Sequence, residues 1–333
     1  MIGLVMVNAI KPGTSISEET RQDLITAYQS DAEKKQAIAK QQKDAGPLQA
    51  LVDLVPDNIF KATTENGNML QVIFFALFFG VGLILIPAEK SKPVKDFFDG
   101  FNEVILRLID LIMLVAPYGV FALLAALIVE SPSLDLFRAL GMYAMTLVIG
   151  LVVMGIFYLL LVKLFVKLKP KKFIEGIAPA QLLAFSTSSS AATLPVTMER
   201  VEEHLGVDEE VASFVLPIGA TINMDGTSLY QAVAAVFIAQ AFGMDLGAGT
   251  QLTIVMTATL ASIGAAAVPG AGMVMLVIVL AQAGIPEAGL ALIFAIDRPL
   301  DMCRTVINIT GDASVSLLVA KSTGKLSKHS KGK

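Results

Sequence analysis

The sequence lacks most of the residue types that a soluble enzyme or a nucleic-acid-binding protein uses. Its 333 residues include no tryptophan, one cysteine and two histidines, and only 16% of them are charged, with a formal net charge of −4. A single cysteine excludes an intrachain disulfide. The small net charge and the dispersed lysines and arginines exclude the basic surface that binds nucleic acid. Soluble chains are about a quarter charged, so an ordinary soluble domain is excluded as well.

Hydrophobic residues take the place of the missing charges. They make up 55% of the chain, and the mean hydropathy is +0.70. A soluble chain of this length cannot bury so much apolar surface, because interior volume grows slowly with chain length. The composition therefore predicts an all-α polytopic protein of the plasma membrane or bacterial inner membrane, in contact with the lipid bilayer.

Three segments are predicted to cross the bilayer as ordinary helices, which takes about 20 apolar residues each. They are residues 69–87, 111–129 and 139–162. Lysines cluster at 90–95, at 163–172 and in the C-terminal tail, whereas the loop at 130–135 is acidic. Positive loops favour the cytoplasm, so we expect the lysine clusters and the C-terminus inside and the acidic loop outside.

The first 50 residues do not fit a simple span. Residues 1–10 are apolar but too short to cross a bilayer, and they lack the basic start of a signal peptide. We interpret residues 1–13 as the end of a transmembrane helix whose beginning is missing. Residues 14–50 are polar and predict an external loop with a helical piece.

Two uncharged segments contain residues that break helices. Residues 176–198 include a hydroxyl run at 186–190 and Pro195, which suits a hairpin tip facing a polar ligand. Residues 246–286 would form a straight helix of about 60 Å, twice the hydrocarbon thickness. They must turn at the Gly- and Pro-rich stretch 262–272. That turn predicts either a re-entrant hairpin lining a cavity or an external loop between two full spans.

A third long segment, residues 211–244, carries one charge. Asp225 lies in the run Asn223-Met224-Asp225-Gly226-Thr227. Asn, Asp and Gly together favour an unwound turn. A broken helix with a carboxylate at membrane depth is typical of cation sites in secondary transporters.

A polar stripe marks the last long helix. Asp297, Asp301, Arg304, Asn308 and Asp312 are separated by 4, 3, 4 and 4 residues, and Thr305 adjoins them. This spacing places all five on one helix face. A soluble amphipathic helix shows the same pattern, but the flanking segments here are nearly uncharged. Ionisable residues in a membrane helix face the protein interior and usually have a function.

The residue types in the stripe suggest a ligand. Arg304 can bind a carboxylate bidentately, and Asp301 lies one turn before it. A ligand that reaches both groups carries a carboxylate and an amine, as an amino acid does. Asp225 and Asp312, each near an asparagine, are oxygen ligands suited to Na⁺.

These motifs, in this order, resemble the dicarboxylate/amino acid:cation symporter family, which includes the excitatory glutamate transporters. The resemblance runs from Met1 to about Lys321. It implies a glutamate-transporter-like fold with two re-entrant helical hairpins and a broken helix. It also implies a homotrimer whose transport part moves like an elevator against a scaffold. Family members have three transmembrane helices before the matched region, so the chain resembles an N-terminally truncated member.

The resemblance also implies domain bounds. The scaffold would hold residues 51–135, and the transport domain residues 136–321, followed by a basic cytoplasmic tail at 322–333. Within the transport domain we expect one hairpin at 172–198 and a second at 250–285. A broken helix would occupy 207–244, and the polar-stripe helix 288–320.

Binding roles follow from the resemblance, residue by residue. Arg304 would bind the substrate side-chain carboxylate and Asp301 its amino group. The rest of the substrate site would comprise Ser190, Thr227, Val268, Gly272, Thr305 and Asn308. One sodium ion would lie among Gly219, Asn223, Asn308 and Asp312. A second would use carbonyls near Thr221, Ser262, Ile263 and Ala265, and a third would use Asn223 and Asp225 with an earlier helix.

The sequence departs from the family pattern at several positions. Ser188 stands where some prokaryotic relatives have arginine, and Ala265 and Ala267 stand where relatives often have Thr and Gly. Arg298 is expected to supply a compensating charge beside Asp297.

The leading functional hypothesis is sodium-coupled symport of glutamate or aspartate, with no enzymatic activity. Transport of C4-dicarboxylates such as succinate, malate or fumarate is the nearest alternative, although such relatives lack an aspartate at the position of Asp301. Proton coupling is a second alternative. Neutral amino acids are disfavoured as substrates, because the relatives that carry them lack an arginine at the position of Arg304. An intramembrane aspartyl protease is a remote alternative, because Ile309-Thr310-Gly311-Asp312 departs from its Gly-x-Gly-Asp pattern. The last alternative is a non-functional remnant of such a transporter, in which only the binding half is intact.

Overall fold

A computed structural model describes residues 1–17, 55–64, 69–101, 134–263, 265, 267 and 269–327, with six isolated residues between 22 and 118. These residues are almost entirely helical, and their one β-pairing is an isolated bridge between Val207 and Leu326. The expectation of an all-α protein is confirmed for them. The named helices are α1 (Ile2–Ile10), α2 (Ile59–Ala62), α3 (Met69–Leu85), α4 (Leu134–Leu161), α5 (Pro170–Thr187), α6 (Ser190–Glu199), α7 (Glu209–Ile222), α8 (Asp225–Ala241), α9 (Ala248–Ile263), α10 (Ala271–Gln282) and α11 (Leu290–Ser322). Residues 88–101 are helical as well.

One helix in the described residues is long and apolar enough to cross a membrane. It comprises α4 and the π-helical turn that continues it, Asp135–Val166. The predicted span at 139–162 corresponds to this helix, which begins earlier, at Leu134. The predicted span at 69–87 corresponds to α3, which has 17 residues. The span at 111–129 lies outside the described residues except at 111 and 118, as does nearly all of the loop predicted at 14–50.

Two helix pairs are joined by short connections. Helix α5 ends at Thr187, the next residue Ser188 adopts a left-handed conformation (φ 52°), and the Ser189 side chain caps α6 by accepting the Ala192 N–H. Helix α10 begins after Gly270, whose φ of 78° favours glycine. The two pairs, α5–α6 and α9–α10, cover the segments predicted as hairpins at 172–198 and 250–285.

A break separates α7 from α8. Helix α7 ends at Ile222 and α8 begins at Asp225, because Asn223 and Met224 leave helical geometry. The unwound turn predicted from the Asn-Met-Asp-Gly run is confirmed. Because of this break, the first backbone N–H groups of α8 have no helical partners, and they lie next to the middle of α11.

Helices α8 and α11 form the centre of the molecule. Helix α8 is buried along nearly its whole length, among α1, α4, α9 and α10. Helix α11 has 33 residues, a length of about 50 Å, and it packs against α4, α5, α7 and α8. Beyond α11, Lys325 forms an ion pair with Glu210 at the start of α7. The first residues of the predicted tail are thus packed against the protein, and residues 328–333 lie outside the described residues.

Candidate functional site

The polar stripe of α11 is buried, as its flanks predict. Asp297, Asp301, Arg304, Asn308 and Asp312 are each at most 8% exposed. Burying a charge is costly unless it is paired. The partners of each residue therefore indicate what the stripe can bind.

Arg304 is the most buried of the five and is enclosed by carboxylates. Its Nε donates to Asp301 Oδ1 at 2.8 Å, and Nη1 and Nη2 donate to the two oxygens of Asp297 at 3.0 and 3.4 Å. The guanidinium also stacks 3.9 Å from the ring centroid of Tyr230 on α8. Asp297 therefore holds Arg304 in the bidentate geometry that an external carboxylate would use. The sequence placed Asp297 on the stripe without giving it a binding role.

Asp301 joins α11 to the α9–α10 pair. Its Oδ2 accepts the Gly270 N–H at 2.9 Å, at the start of α10. The same oxygen lies 3.6 Å from Nη1 of Arg298. The compensating charge expected from Arg298 therefore faces Asp301, because residues three apart on a helix lie on the same face.

The first turn of α8 meets α11 beside Arg304. Asn308 accepts the Gly226 N–H at 2.8 Å and donates to Thr227 Oγ1 at 3.2 Å. A Cβ at Gly226 would lie 2.5 Å from the Arg304 carbonyl oxygen, so only glycine permits this approach. A Cβ at Gly272 would lie 3.1 Å from Thr227 and 3.2 Å from the Arg304 guanidinium.

Six of the eight residues predicted for substrate binding thus lie close together, where α8, α10 and α11 meet beside Arg304. They are Thr227, Gly272, Asp301, Arg304, Thr305 and Asn308. Ser190 is buried at the first turn of α6, and Val268 lies outside the described residues. The tips of the two helix pairs meet at the neighbouring Ser189, whose hydroxyl donates to the Ala267 carbonyl at 2.6 Å. The hydroxyl run indicated a polar tip but could not tell Ser189 from Ser190.

A second cluster lies further along α11. Asn223 donates to Asp312 Oδ1 at 2.9 Å, and Tyr158 of α4 donates its hydroxyl to Asp225. A Cβ at Gly219 would lie 2.6 Å from Asp312 Oδ1, which places the α7 backbone against that carboxylate. Among the described side chains, no Lys or Arg forms an ion pair with Asp225 or Asp312.

The residues predicted for the second sodium ion are less closely connected. Thr221 is exposed, and its hydroxyl donates within α7 to the Ile218 carbonyl. The Ser262 carbonyl accepts the Ala265 N–H at 3.2 Å. No hydrogen bond within the described part of the chain joins Thr221 to Ser262, Ile263 or Ala265. That part also holds no group of three His, Cys, Asp or Glu side chains placed to bind a metal. Thr221, Ser262, Ile263 and Ala265 themselves offer only carbonyl and hydroxyl oxygens to a cation.

Sequence reasoning missed partners that lie on other helices. These partners belong to apolar helices and are Tyr158 of α4 and Tyr230 and Gln231 of α8. The Gln231 amide donates to the Gly272 carbonyl at 3.2 Å. All three side chains look like ordinary core residues in the sequence. Only the helix packing reveals that Tyr230 stacks on Arg304, that Tyr158 binds Asp225 and that Gln231 binds the start of α10.

Comparison with known proteins agrees with this geometry. The profile of the sodium:dicarboxylate symporter family matches residues 1–322. Excitatory amino acid transporter 3 of Homo sapiens is 46% identical over 263 residues, 79% of this chain and 50% of the relative. Excitatory amino acid transporter 1 of Ambystoma tigrinum is 48% identical over 251 residues, 74% of this chain and 46% of the relative. The proton/sodium-glutamate symport protein of Bacillus subtilis (strain 168) is 36% identical over 329 residues, 97% of this chain and 73% of the relative. The chain spans about half the length of the animal transporters that it matches.

Proposed function

This chain belongs to the sodium:dicarboxylate symporter family, and from that premise we propose that it takes up acidic amino acids with Na⁺ as a secondary active symporter. Glutamate and aspartate are the proposed substrates. Three of the relatives carry glutamate or excitatory amino acids in their names. The proposal extends to a homotrimer in the cell membrane whose transport part moves as an elevator.

The observation that carries the proposal is the buried Arg304 between Asp297 and Asp301. A guanidinium with bidentate geometry at membrane depth recognises a carboxylate. On substrate binding, the substrate side-chain carboxylate takes over Arg304 donors that Asp297 holds in the structure. Asp301, released from part of its contacts, then receives the substrate ammonium.

The proposed Na⁺ dependence rests on the second cluster. Asp225 and Asp312 have neutral hydrogen-bond donors as their described partners. A monovalent cation with oxygen ligands would neutralise carboxylates in such a place. Asn308 lies between the two clusters on α11 and contacts the first turn of α8. Ion binding at Asn223, Asp225 and Asp312 would therefore position the substrate site.

The tip contacts support a gating role for the helix pairs. Gly270 and Ser189 tie the two tips to Asp301 and to each other. A substrate ammonium at Asp301 competes with the Gly270 N–H for the same carboxylate. We expect the α9–α10 tip to move when substrate enters and to close again over the loaded site.

Uptake into liposomes tests the proposal. The full-length protein is reconstituted, and radiolabelled L-aspartate and L-glutamate uptake is measured with an inward Na⁺ gradient or an inward proton gradient alone. The expected result is accumulation with the Na⁺ gradient that disappears in Arg304→Ala. Uptake of neither substrate under any gradient would contradict the proposal.

Proton coupling is the second candidate, and one observation favours it. The Bacillus subtilis relative is named for both ions. Accumulation driven equally by a proton gradient without Na⁺ would decide for this alternative.

A further inference from the structure

Arg298 has a position that the proposed substrate site does not use. Its side chain is 49% exposed, whereas that of Asp301 is 7% exposed. Nη1 of Arg298 lies 3.6 Å from Asp301 Oδ2, and Arg304 holds the other oxygen, Oδ1, at 2.8 Å. Asp301 therefore lies between two guanidinium groups, one at its buried side and one at its exposed side.

We propose that Arg298 is a specificity-determining residue that occupies the place of a substrate ammonium, so that the site also accepts C4-dicarboxylates lacking an amino group. This inference rests on the proposed function and concerns the substrate class of the same site. Arg298 acts by neutralising Asp301 when the ligand brings no cation of its own.

The charges of the site give the direction of the effect. Two carboxylates, Asp297 and Asp301, face two guanidinium groups, Arg298 and Arg304. Without Arg298 the site keeps one unbalanced negative charge. L-Aspartate would bring an ammonium that pairs with Asp301 and replaces the missing guanidinium at that carboxylate. Succinate would place a second carboxylate near an uncompensated one, and like charges at close range disfavour binding.

For aspartate, two consequences of removing Arg298 oppose each other. The site loses a cation that attracts an anion, and Asp301 Oδ2 loses a competitor for the substrate ammonium. For succinate, both consequences weaken binding, because the site loses a cation and Asp301 Oδ2 is left facing a ligand that brings no ammonium. The ratio of the two affinities therefore reports the role of Arg298 more directly than either affinity alone.

A purely structural role predicts a different result. Asp301 keeps Arg304 and the Gly270 N–H when Arg298 is removed, so no buried carboxylate is left without partners. Loss of packing would change the stability of the protein or both affinities together. It would not change their ratio.

The experiment measures L-aspartate binding to the purified full-length protein, and succinate as a competitor, in saturating Na⁺ at fixed ionic strength. In Arg298→Gln we expect aspartate affinity to change by about twofold or less and succinate affinity to fall about three- to fivefold, as for loss of one partly exposed charge contact. Arg298→Lys retains the charge and should keep the original ratio. Lys321→Gln, which removes an exposed cation from the far end of α11, is the matched control.

An unchanged ratio in Arg298→Gln would overturn the inference, and so would a complete failure of succinate to compete in the unsubstituted protein. In both cases aspartate binding would leave the proposed function intact. Binding of neither ligand to the unsubstituted protein would contradict the proposed function itself, and the role of Arg298 with it.

Discussion

Two charged clusters lie along α11, and they balance their charge in different ways. The arginine cluster pairs Asp297 and Asp301 with Arg304 and Arg298. The carboxylate cluster holds Asp312 and Asp225, whose described partners are the amide of Asn223 and the hydroxyl of Tyr158. Both clusters lie where α11 meets α8, and the carboxylate cluster also meets α4 and α7.

The difference indicates a division of roles. The guanidinium of a buried ion pair can exchange one carboxylate partner for another and stay paired, so the arginine cluster suits an anionic ligand. A buried carboxylate with only neutral donors still lacks a counter-charge. The carboxylate cluster therefore suits a cation from solution. The following substitutions test this division, from the largest expected effect to the smallest.

Arg304→Ala should have the largest effect. Truncating one partner of a buried, hydrogen-bonded charge pair costs about 2–5 kcal/mol, so we expect acidic amino acid binding to weaken by about 100-fold or more. Equilibrium binding of radiolabelled L-aspartate measures this change. Thermal unfolding of the same variant, beside Arg304→Lys, separates lost binding from lost folding. Binding by a folded Arg304→Ala protein with unchanged affinity would disprove the role of the arginine cluster.

Asp312→Asn should affect the ion and spare the substrate preference. Removing one carboxylate from the cation site is expected to lower the apparent Na⁺ affinity about tenfold, because ligand charge tunes the affinity of oxygen-ligand sites. The measurement is the Na⁺ concentration at half-maximal aspartate binding, together with the glutamate-to-aspartate affinity ratio. Asp96→Asn is the control, because Asp96 is an exposed carboxylate paired only with Lys92 in the described residues. A changed glutamate-to-aspartate affinity ratio with unchanged Na⁺ affinity would contradict the division of roles between the two clusters.

Gly219→Ala should sharpen the location of the cation. The new methyl group would lie 2.6 Å from Asp312 Oδ1 and would push the carboxylate away from α7. We expect the apparent Na⁺ affinity to fall a few-fold. Overpacking of this kind also lowers the stability of the protein, typically by about 1–3 kcal/mol. Gly249→Ala provides the matched comparison, because a Cβ there meets nothing within 4 Å. Equal Na⁺ affinities in the two variants would place the cation elsewhere.

Ser189→Ala should have the smallest effect, because Ser189 belongs to neither charged cluster. The substitution removes the cap of α6 and the contact with Ala267, and losing such a cap costs about 1 kcal/mol. Hydrogen exchange of the Ala192 amide should become faster, with little change in Na⁺ or substrate affinity. Ser186→Ala, which removes an exposed hydroxyl bonded within α5, should leave the exchange unchanged. The same slow exchange in both variants would argue against the Ser189 cap of α6.

Much of the fold follows from local patterns in the sequence. The stripe spacing of 4, 3, 4 and 4 residues fixes the buried face of α11, and the Asn-Met-Asp-Gly run predicts the break before Asp225. Serine, glycine and proline mark the two turns. These signals are local because caps, turns and helix periodicity depend on neighbouring residues.

The charge partners do not follow from the sequence. Asp297 and Asp301 share a helix face with Arg304, so their pairing was within reach of helical geometry. The stacking of Tyr230 on Arg304 and the hydrogen bond from Tyr158 to Asp225 depend on how α8 and α4 pack against α11. Aromatic residues in apolar helices give no signal of such contacts. The pairing of Arg298 with Asp301, three residues apart on α11, was within reach of helical geometry as well.

The most direct test of the division between the clusters is the affinity for L-aspartate as a function of Na⁺ concentration, measured for the unsubstituted full-length protein and for Asp312→Asn. Two linked sites affect each other's affinities reciprocally. We therefore predict that aspartate affinity rises steeply with Na⁺ in the unsubstituted protein, and that the rise moves to higher Na⁺ concentrations in Asp312→Asn. An aspartate affinity that is the same in Na⁺ and in choline would contradict the account.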